Sequence, residues 1–381
     1  MITVGRLMER LAFDGLLPAE EEVGPLLADI DAADPCQTLS DRLLQQGLVT
    51  EYQSRALLGE TDDRLVLGDY VLLRRLCRGS TCEVFNARHR TGQLVALKVL
   101  SAVPPTSLGL RRFEREVEAI FRLCHPNIIA ACDAGEADGL PYLAMEYADG
   151  SDLAQYVAVN GPLSVSRAVD YVGQAARGLS HAHDLGVIHR DVKPSNLLLE
   201  DAGNGKLVVK VADFGLARVA PWQTTSTESD VLLPGTTMGT ADYMPPEQIA
   251  DASQADCRSD VYGLGATLWY LLSGRPMYFR RTLVEVLLAQ RDGAVPSLHA
   301  VRNDVPDELD QTFQRAVTKR PQDRFPTMDE MISALETALL GEAEARPIFP
   351  AGATDESGLL DDWIPTGETA VLPTTMLGDD G

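Results

Sequence analysis

Long apolar runs are scarce in this sequence. The longest, Val261 to Leu272, is too short to span a bilayer, and the N-terminus carries no basic-then-apolar signal pattern. A soluble, cytoplasmic chain is expected. Positive charge is also in short supply: 33 Lys and Arg stand against 56 Asp and Glu, and the net charge of −23 repels nucleic-acid phosphates and anionic headgroups alike. Neither nucleic acid nor membrane is expected as a main partner. Cysteine is sparse, and the six residues at 36, 77, 82, 124, 132 and 257 form no CxxC pair and no His/Cys metal spacing. No structural zinc is expected, and reduced thiols are. What remains is ordinary globular material: 381 residues, 45% hydrophobic, long enough for two lobes or domains.

The first sixty residues repeat apolar positions at helical spacing, through Leu7 to Leu17, Val23 to Ile30 and Leu39 to Leu44, with Gly47 as a stop. Thr50 with Gln53 reads as a capping box opening a further helix that ends at Gly59. Residues 1–62 are therefore a small helical module, either a packing extension of its neighbour or a docking unit for a partner. After the polar linker Glu60 to Arg64 the pattern changes to strands. Tyr70 to Leu76 and Glu83 to Arg88 flank a turn at Gly79, Ser80 and Thr81, and Leu94 to Leu100 follow as a third strand. Alternation puts Val95, Leu97 and Val99 on one face and Ala96, Lys98 and Leu100 on the other. A lysine in such a run needs a partner or loses its proton. The helix after Pro105 offers one, and Glu116, beside the apolar face of Phe113, Val117 and Ile120, is the expected carboxylate.

Residues 186–199 hold the densest chemistry. Val187 and Ile188 lead in and Leu197 to Leu199 lead out, so a polar loop held by two short strands is expected around His189, Arg190, Asp191, Lys193 and Asn196. Phosphoryl transfer to a hydroxyl needs a carboxylate for the hydroxyl proton, a cation on the moving phosphate and an oxygen ligand for magnesium. Asp191, Lys193 and Asn196 supply one of each. Beyond Leu199 a hairpin turning at Asn204-Gly205 would return Asp213 to the same end of the cleft as Asn196, and two such oxygen donors suit magnesium.

Read in order, Val95-Ala96-Leu97-Lys98, Glu116, His125-Pro126-Asn127-Ile128, His189-Arg190-Asp191 with Asn196, Asp213-Phe214-Gly215, Pro245-Pro246-Glu247 and Asp260 resemble the eukaryotic-like serine/threonine protein kinases of bacteria. The resemblance implies an α+β, two-lobed protein-kinase-like fold: a small antiparallel sheet lobe over 68–148, a larger helical lobe over 149–340, and a disordered acidic tail over 341–381. It also implies ATP and Mg2+ as cofactors, protein substrates, and a role in signalling. By the same resemblance Lys98 held by Glu116 orients the phosphates, Asp191 and Lys193 act at the acceptor hydroxyl and γ-phosphate, and Asn196 and Asp213 hold the metal. Leu76, Gly79, Val84, Ala96, Met145 and Leu198 would surround the nucleotide, with backbone groups of Glu146 and Ala148 on adenine and Asp152 on the ribose. Thr240 would sit beside Asp191 and Lys193 and favour serine or threonine acceptors. Asp260 would support the catalytic loop from the apolar helix 261–272, which Ser259 would cap at its start and Gly274 at its end; Glu247 and Arg324 would form a buried ion pair.

Residues 216–244 are rich in hydroxyls, and autophosphorylation at Thr236 or Thr237 is expected there, with Arg190 receiving the phosphate. The tail sequence Leu372-Pro373-Thr374-Thr375-Met376 echoes Leu233 to Met238, which raises a phosphothreonine-binding partner as a second expectation. One departure stands against the family pattern. Where it has Gly-x-Gly-x-x-Gly-x-Val, this chain has Cys77-Arg78-Gly79-Ser80-Thr81-Cys82-Glu83-Val84, so weaker ATP binding is expected and a redox role for the two thiols is raised. Two other classes stay open: a pseudokinase scaffold, suggested by this turn, and a kinase-like phosphotransferase of small molecules.

Overall fold

Helical spacing at the start of the chain becomes four short helices in the computed structural model, which describes residues 4–13, 16, 20–28, 30, 37–79, 82–100, 107–203, 205–214 and 238–345. These are α1 (Val4–Phe13), α2 (Glu20–Leu27), α3 (Gln37–Gln45) and α4 (Glu51–Leu57). Val4, Leu7 and Leu11 of α1 lie on one helical face and meet Leu39, Leu43, Ala56 and Leu57 in a core of their own that also takes in Leu65. The capping box at Thr50 forms: Gln53 N donates to the Thr50 hydroxyl at 3.2 Å, and Thr50 N donates to Gln53 Oε1 at 2.9 Å.

The sheet lobe follows with β1 (Val66–Leu67), β2 (Tyr70–Arg78), β3 (Cys82–His89), β4 (Leu94–Leu100), α5 (Ser107–Phe121), β5 (Ala131–Ala137) and β6 (Leu140–Glu146). All pairings are antiparallel, in the order β1-β2-β3-β4-β6-β5. β4 is central, and its alternation has the expected outcome. Val95, Leu97 and Val99 join Leu72, Phe85 and Ala144 in one cluster, while Leu100 and Ala96 pack against the other. Lys98 is buried on that second face, opposite Val84 of β3.

The helical lobe comprises α6 (Leu153–Asn160), α7 (Val165–Asp184), the hairpin β7 (Leu197–Asp201) and β8 (Leu207–Val211), then α8 (Met238–Ala241), α9 (Pro246–Ala250), α10 (Cys257–Ser273), α11 (Leu283–Asp292), α12 (Asp307–Ala316) and α13 (Met328–Ala345). Ala168, Val172, Ala175 and Leu179 of α7 are fully buried, as the 4-3-4 spacing predicts. α10 is buried nearly all round and ends at Gly274, whose left-handed φ of 71° closes the helix. Its N-cap differs from expectation. Asp256, not Ser259, caps it, accepting from Arg258 N at 2.8 Å; Ser259 lies one turn in, buried, and donates to Glu247 Oε1 at 2.8 Å. Two good capping residues stood three apart, and the outer one took the helix end. The expected buried ion pair forms bidentately, with Arg324 Nη1 and Nη2 each 2.7 Å from a Glu247 oxygen.

Several expectations lie outside the described residues: Ser80 and Thr81 of the turn, the side chain of Phe113, Asn204, Gly215, residues 216–237 with Thr236 and Thr237, and residues 346–381 with their disordered-tail assignment. Residues 341–345 continue α13 rather than opening the tail, because Glu342-Ala343-Glu344-Ala345 are good helix formers.

Candidate active site

The approach to the catalytic loop shows the clearest departure in local structure. Val187 and Ile188 form no strand. Asp260 in the first turn of α10 holds the segment instead: it accepts from His189 N at 2.9 Å, Arg190 N at 2.7 Å and His183 Nε2 at 2.8 Å. A carboxylate taking two backbone amides can fix a loop that has no ladder. This grip sustains an unusual backbone, since Arg190 has φ +68°, and Asp213 across the loop has φ +67°. Each left-handed non-glycine residue costs about 1–2 kcal/mol. His189 spans the two, with Nε2 at 2.8 Å from Ala212 O, Nδ1 accepting from Asp191 N at 3.2 Å, and its ring 4.8 Å from that of Phe214. These bonds assign the ring proton to Nε2.

Within this frame the polar groups converge. Lys193 Nζ donates to Asp191 Oδ2 at 2.8 Å and to Thr240 Oγ1 at 3.0 Å. Asn196 Nδ2 donates to Asp191 O at 2.8 Å and reaches Asp191 Oδ2 at 3.2 Å. Ala212 N donates to Asn196 O at 2.9 Å, which ties the loop to the stretch carrying Asp213. From the other lobe, Lys98 Nζ meets Asp213 Oδ1 at 2.8 Å. Sequence expectation put Glu116 against this ammonium; the carboxylate seen bonded to it is that of Asp213, which follows β8, and Glu116 stands half-buried on α5. Burial works against the charged form of Lys98, but the adjacent Asp213 outweighs it and the pKa rises; Lys98 in turn lowers that of Asp213 against its own desolvation. Both groups are held charged.

The expected nucleotide-lining residues lie on β2, β3, β4, β6, β7 and the segments beside them. Ala96 stands opposite Met145 in the β4–β6 register and Val84 opposite Lys98. Ala96, Ala148 and Leu198 pack on the main core, Leu76 is exposed on β2, and Gly79 N closes the turn onto Cys82 O at 2.8 Å. Asp152 has a structural task beside its proposed one, since its carboxylate caps α6 by accepting from Gln155 N at 2.8 Å. Glu146 was expected to act through its backbone; its side chain also binds Lys210 of β8 at 2.6 Å. Cys77 and Cys82 are both free thiols, and burial pushes the Cys77 thiol up, which disfavours the reactive thiolate.

Among the described residues no group of three His, Cys, Asp or Glu side chains could cage a metal. Asn196 and Asp213 nevertheless fit magnesium: the amide nitrogen of Asn196 is committed to Asp191, leaving its oxygen as the donor, and Mg2+ takes few protein oxygens beside phosphate and water. Sequence reasoning missed Lys210, and also Gln174, whose Oε1 accepts from Val209 N at 2.8 Å and so pins β8 to α7. It missed Gly263 too, where a β-carbon would lie 2.7 Å from Val192 O in the catalytic loop. A polar residue on a buried helix face was the available signal for Gln174; for Gly263 there was none.

A twisted antiparallel sheet over a helical lobe, with a lysine from the first meeting a loop aspartate of the second, defines the two-lobed protein-kinase-like class. The chain belongs to the protein kinase domain family, whose model matches residues 70–334. It is similar to the probable serine/threonine-protein kinase PknB of Lactococcus lactis, 32% identical over 285 residues covering 74% of this chain and 44% of that protein. PrkC of Bacillus subtilis is 34% identical over 275 residues, 72% and 41% of the two chains. PknB of Mycolicibacterium smegmatis is 38% identical over 295 residues, 75% and 44%. The chain thus spans less than half the length of these curated relatives. Among solved structures, the kinase domain of Mycobacterium tuberculosis PknI matches with a TM-score of 0.55 at 30% identity, covering 72% of this chain and 97% of that one.

Proposed function

We propose that this protein is a serine/threonine protein kinase that transfers the γ-phosphoryl group of ATP to protein hydroxyls, with residues 68–340 as its kinase domain. The observation that carries the reading is the continuous set of contacts from Lys98 through Asp213, and from Asn196 through Asp191 and Lys193 to Thr240. Asp191 accepts the proton of the acceptor hydroxyl as its oxygen attacks the γ-phosphorus. The bond to the β–γ bridging oxygen breaks and its electron pair leaves with ADP. Lys193 offsets charge on the moving phosphoryl group while Thr240 holds it in register and leaves room for a small hydroxyl side chain. Lys98 orients the α- and β-phosphates, helped by Glu116 on α5. Magnesium bound by Asn196 and Asp213 would neutralise charge on the phosphate oxygens. Val84, Ala96, Met145 and Leu198 supply apolar walls for adenine, with Leu76 and Gly79 above, backbone groups of Glu146 and Ala148 at its edge and Asp152 toward the ribose.

Incubation of the full chain with Mg2+ and labelled ATP tests this. Label on protein, lost in Asp191→Asn, is expected; no turnover with retained nucleotide binding would instead establish the pseudokinase reading that the glycine-poor turn suggested. Mapping should find phosphate at Thr236 or Thr237, and absence there in the active protein rejects autophosphorylation of this segment. Phosphate on Thr374 or Thr375 would support recruitment of a phosphothreonine-binding partner.

A further inference from the structure

The turn between β2 and β3 has lost two of the family's three glycines, and the strand leading into it is irregular. β2 slips register against β3 between Leu72 and Arg74 and again between Arg75 and Cys77. Each slip bends the strand, so the ladder alone under-determines where β2 delivers Arg78 and Gly79.

The N-terminal helices meet β2 at these slips. Gln53 Nε2 donates to Leu72 O at 3.0 Å, and the Thr50 hydroxyl donates to Leu73 O. Between the slips stands Arg75. Its guanidinium carbon lies 5.7 Å from the ring centroids of both Tyr52 of α4 and Phe85 of β3, and it bonds Asp63 of the linker. On its other side Arg75 Nε is 3.2 Å from Glu83 Oε1, an oxygen that Arg78 also approaches at 3.3 Å. Arg78 and Glu83 face each other at the base of the turn. Tyr52 completes the arrangement by donating its hydroxyl to Arg64 O at 2.8 Å. Asp63, Arg75 and Glu83 are 18%, 24% and 27% exposed, so solvent screens this network less than a surface pair.

We propose that residues 50–63 act as a brace for the glycine-poor turn, setting nucleotide affinity through Asp63, Arg75 and Glu83 and so offsetting the close backbone approach to phosphate that the missing glycines would allow. Arg75 is a positioning residue in this account. The proposal rests on the kinase reading above, and the two are separable by experiment. In the full-length protein, the Kd for Mg-ADP is measured by titration, and KM for ATP and kcat by phosphate transfer, for wild type, Asp63→Asn, Arg75→Met and Arg55→Ala. Arg55 pairs with Glu60 on the exposed side of the same module and serves as control. Arg75→Met should raise Kd and KM together by roughly five- to tenfold, with kcat at saturating ATP unchanged. Asp63→Asn, in the linker and outside the sheet, should give a smaller rise in the same direction even if Arg75→Met folds poorly. Arg55→Ala should match wild type. Wild-type affinity in both Asp63→Asn and a folded Arg75→Met, whatever their melting temperatures, would overturn the brace and leave only a packing role. If wild type itself binds no Mg-ADP, the kinase reading falls, and the brace with it.

Discussion

Asp191 accepts from both Lys193 and Asn196 through one oxygen, Oδ2, which in the proposed reaction leaves Oδ1 as the face for an acceptor hydroxyl. Replacing Asp191 by Asn should therefore lower phosphate transfer by roughly 10²- to 10⁴-fold while Mg-ADP affinity stays within about twofold, since the loss is of a proton acceptor and not of a nucleotide contact. A fall in affinity as large as the fall in rate would contradict the assignment. A second prediction concerns Asp242, just beyond Thr240, whose carboxyl is pushed up to about 6 by burial. The folded state binds this proton more tightly than the unfolded chain does. Its stability contribution is thus complete below about pH 4 and is lost as pH rises through about 6. Asp242→Asn should stabilise the protein at pH 7 by on the order of 1–2 kcal/mol, less than the full shift implies because solvent screens this part-exposed carboxylate, and have little effect at pH 4, as read from denaturant midpoints at the two pH values. The polar residues at 189–196 were legible because they interrupt apolar sequence. The left-handed φ of Arg190 and Asp213 was not, because neither residue type announces that conformation and a distant Asp260 holds one of them in it.

At the scale of elements, the strands and long helices followed from periodicity, and an error fell where two candidates competed for one job. Asp256 took the cap expected of Ser259 three residues further on. Spacing along the chain ranks such candidates poorly, since only packing decides which one meets the helix end. The contact between α10 and the catalytic loop makes a sharper test. A β-carbon at Gly263 would sit 2.7 Å from Val192 O and 3.0 Å from Val192 Cβ. Backbone must move to admit it, so Gly263→Ala should destabilise the fold by about 1–3 kcal/mol and depress kcat disproportionately, because the loop that shifts carries Asp191 and Lys193. Breaking the Glu247–Arg324 pair by Glu247→Gln should cost about 3–5 kcal/mol in chemical denaturation, since Arg324 is almost completely buried.

Across the whole molecule the two-lobed architecture was readable from the ordered motifs, whereas packing of the N-terminal helices on their neighbour was one of two open alternatives and the residues that make the contact were not readable. Their apolar faces read as a helical module, and those faces gather in a cluster of their own. That α4 would also bond the irregular part of β2 depends on register slips that no alternation pattern encodes. No helix among the described residues is long and apolar enough to cross a membrane.

The grip of Asp260 on the amides of His189 and Arg190 has a kinetic corollary. Those two N–H groups can exchange with solvent deuterium only when a carboxylate rooted in a helix buried nearly all round lets go. Their protection should approach that of α10 itself, so a loop without regular secondary structure would exchange on the timescale of global opening.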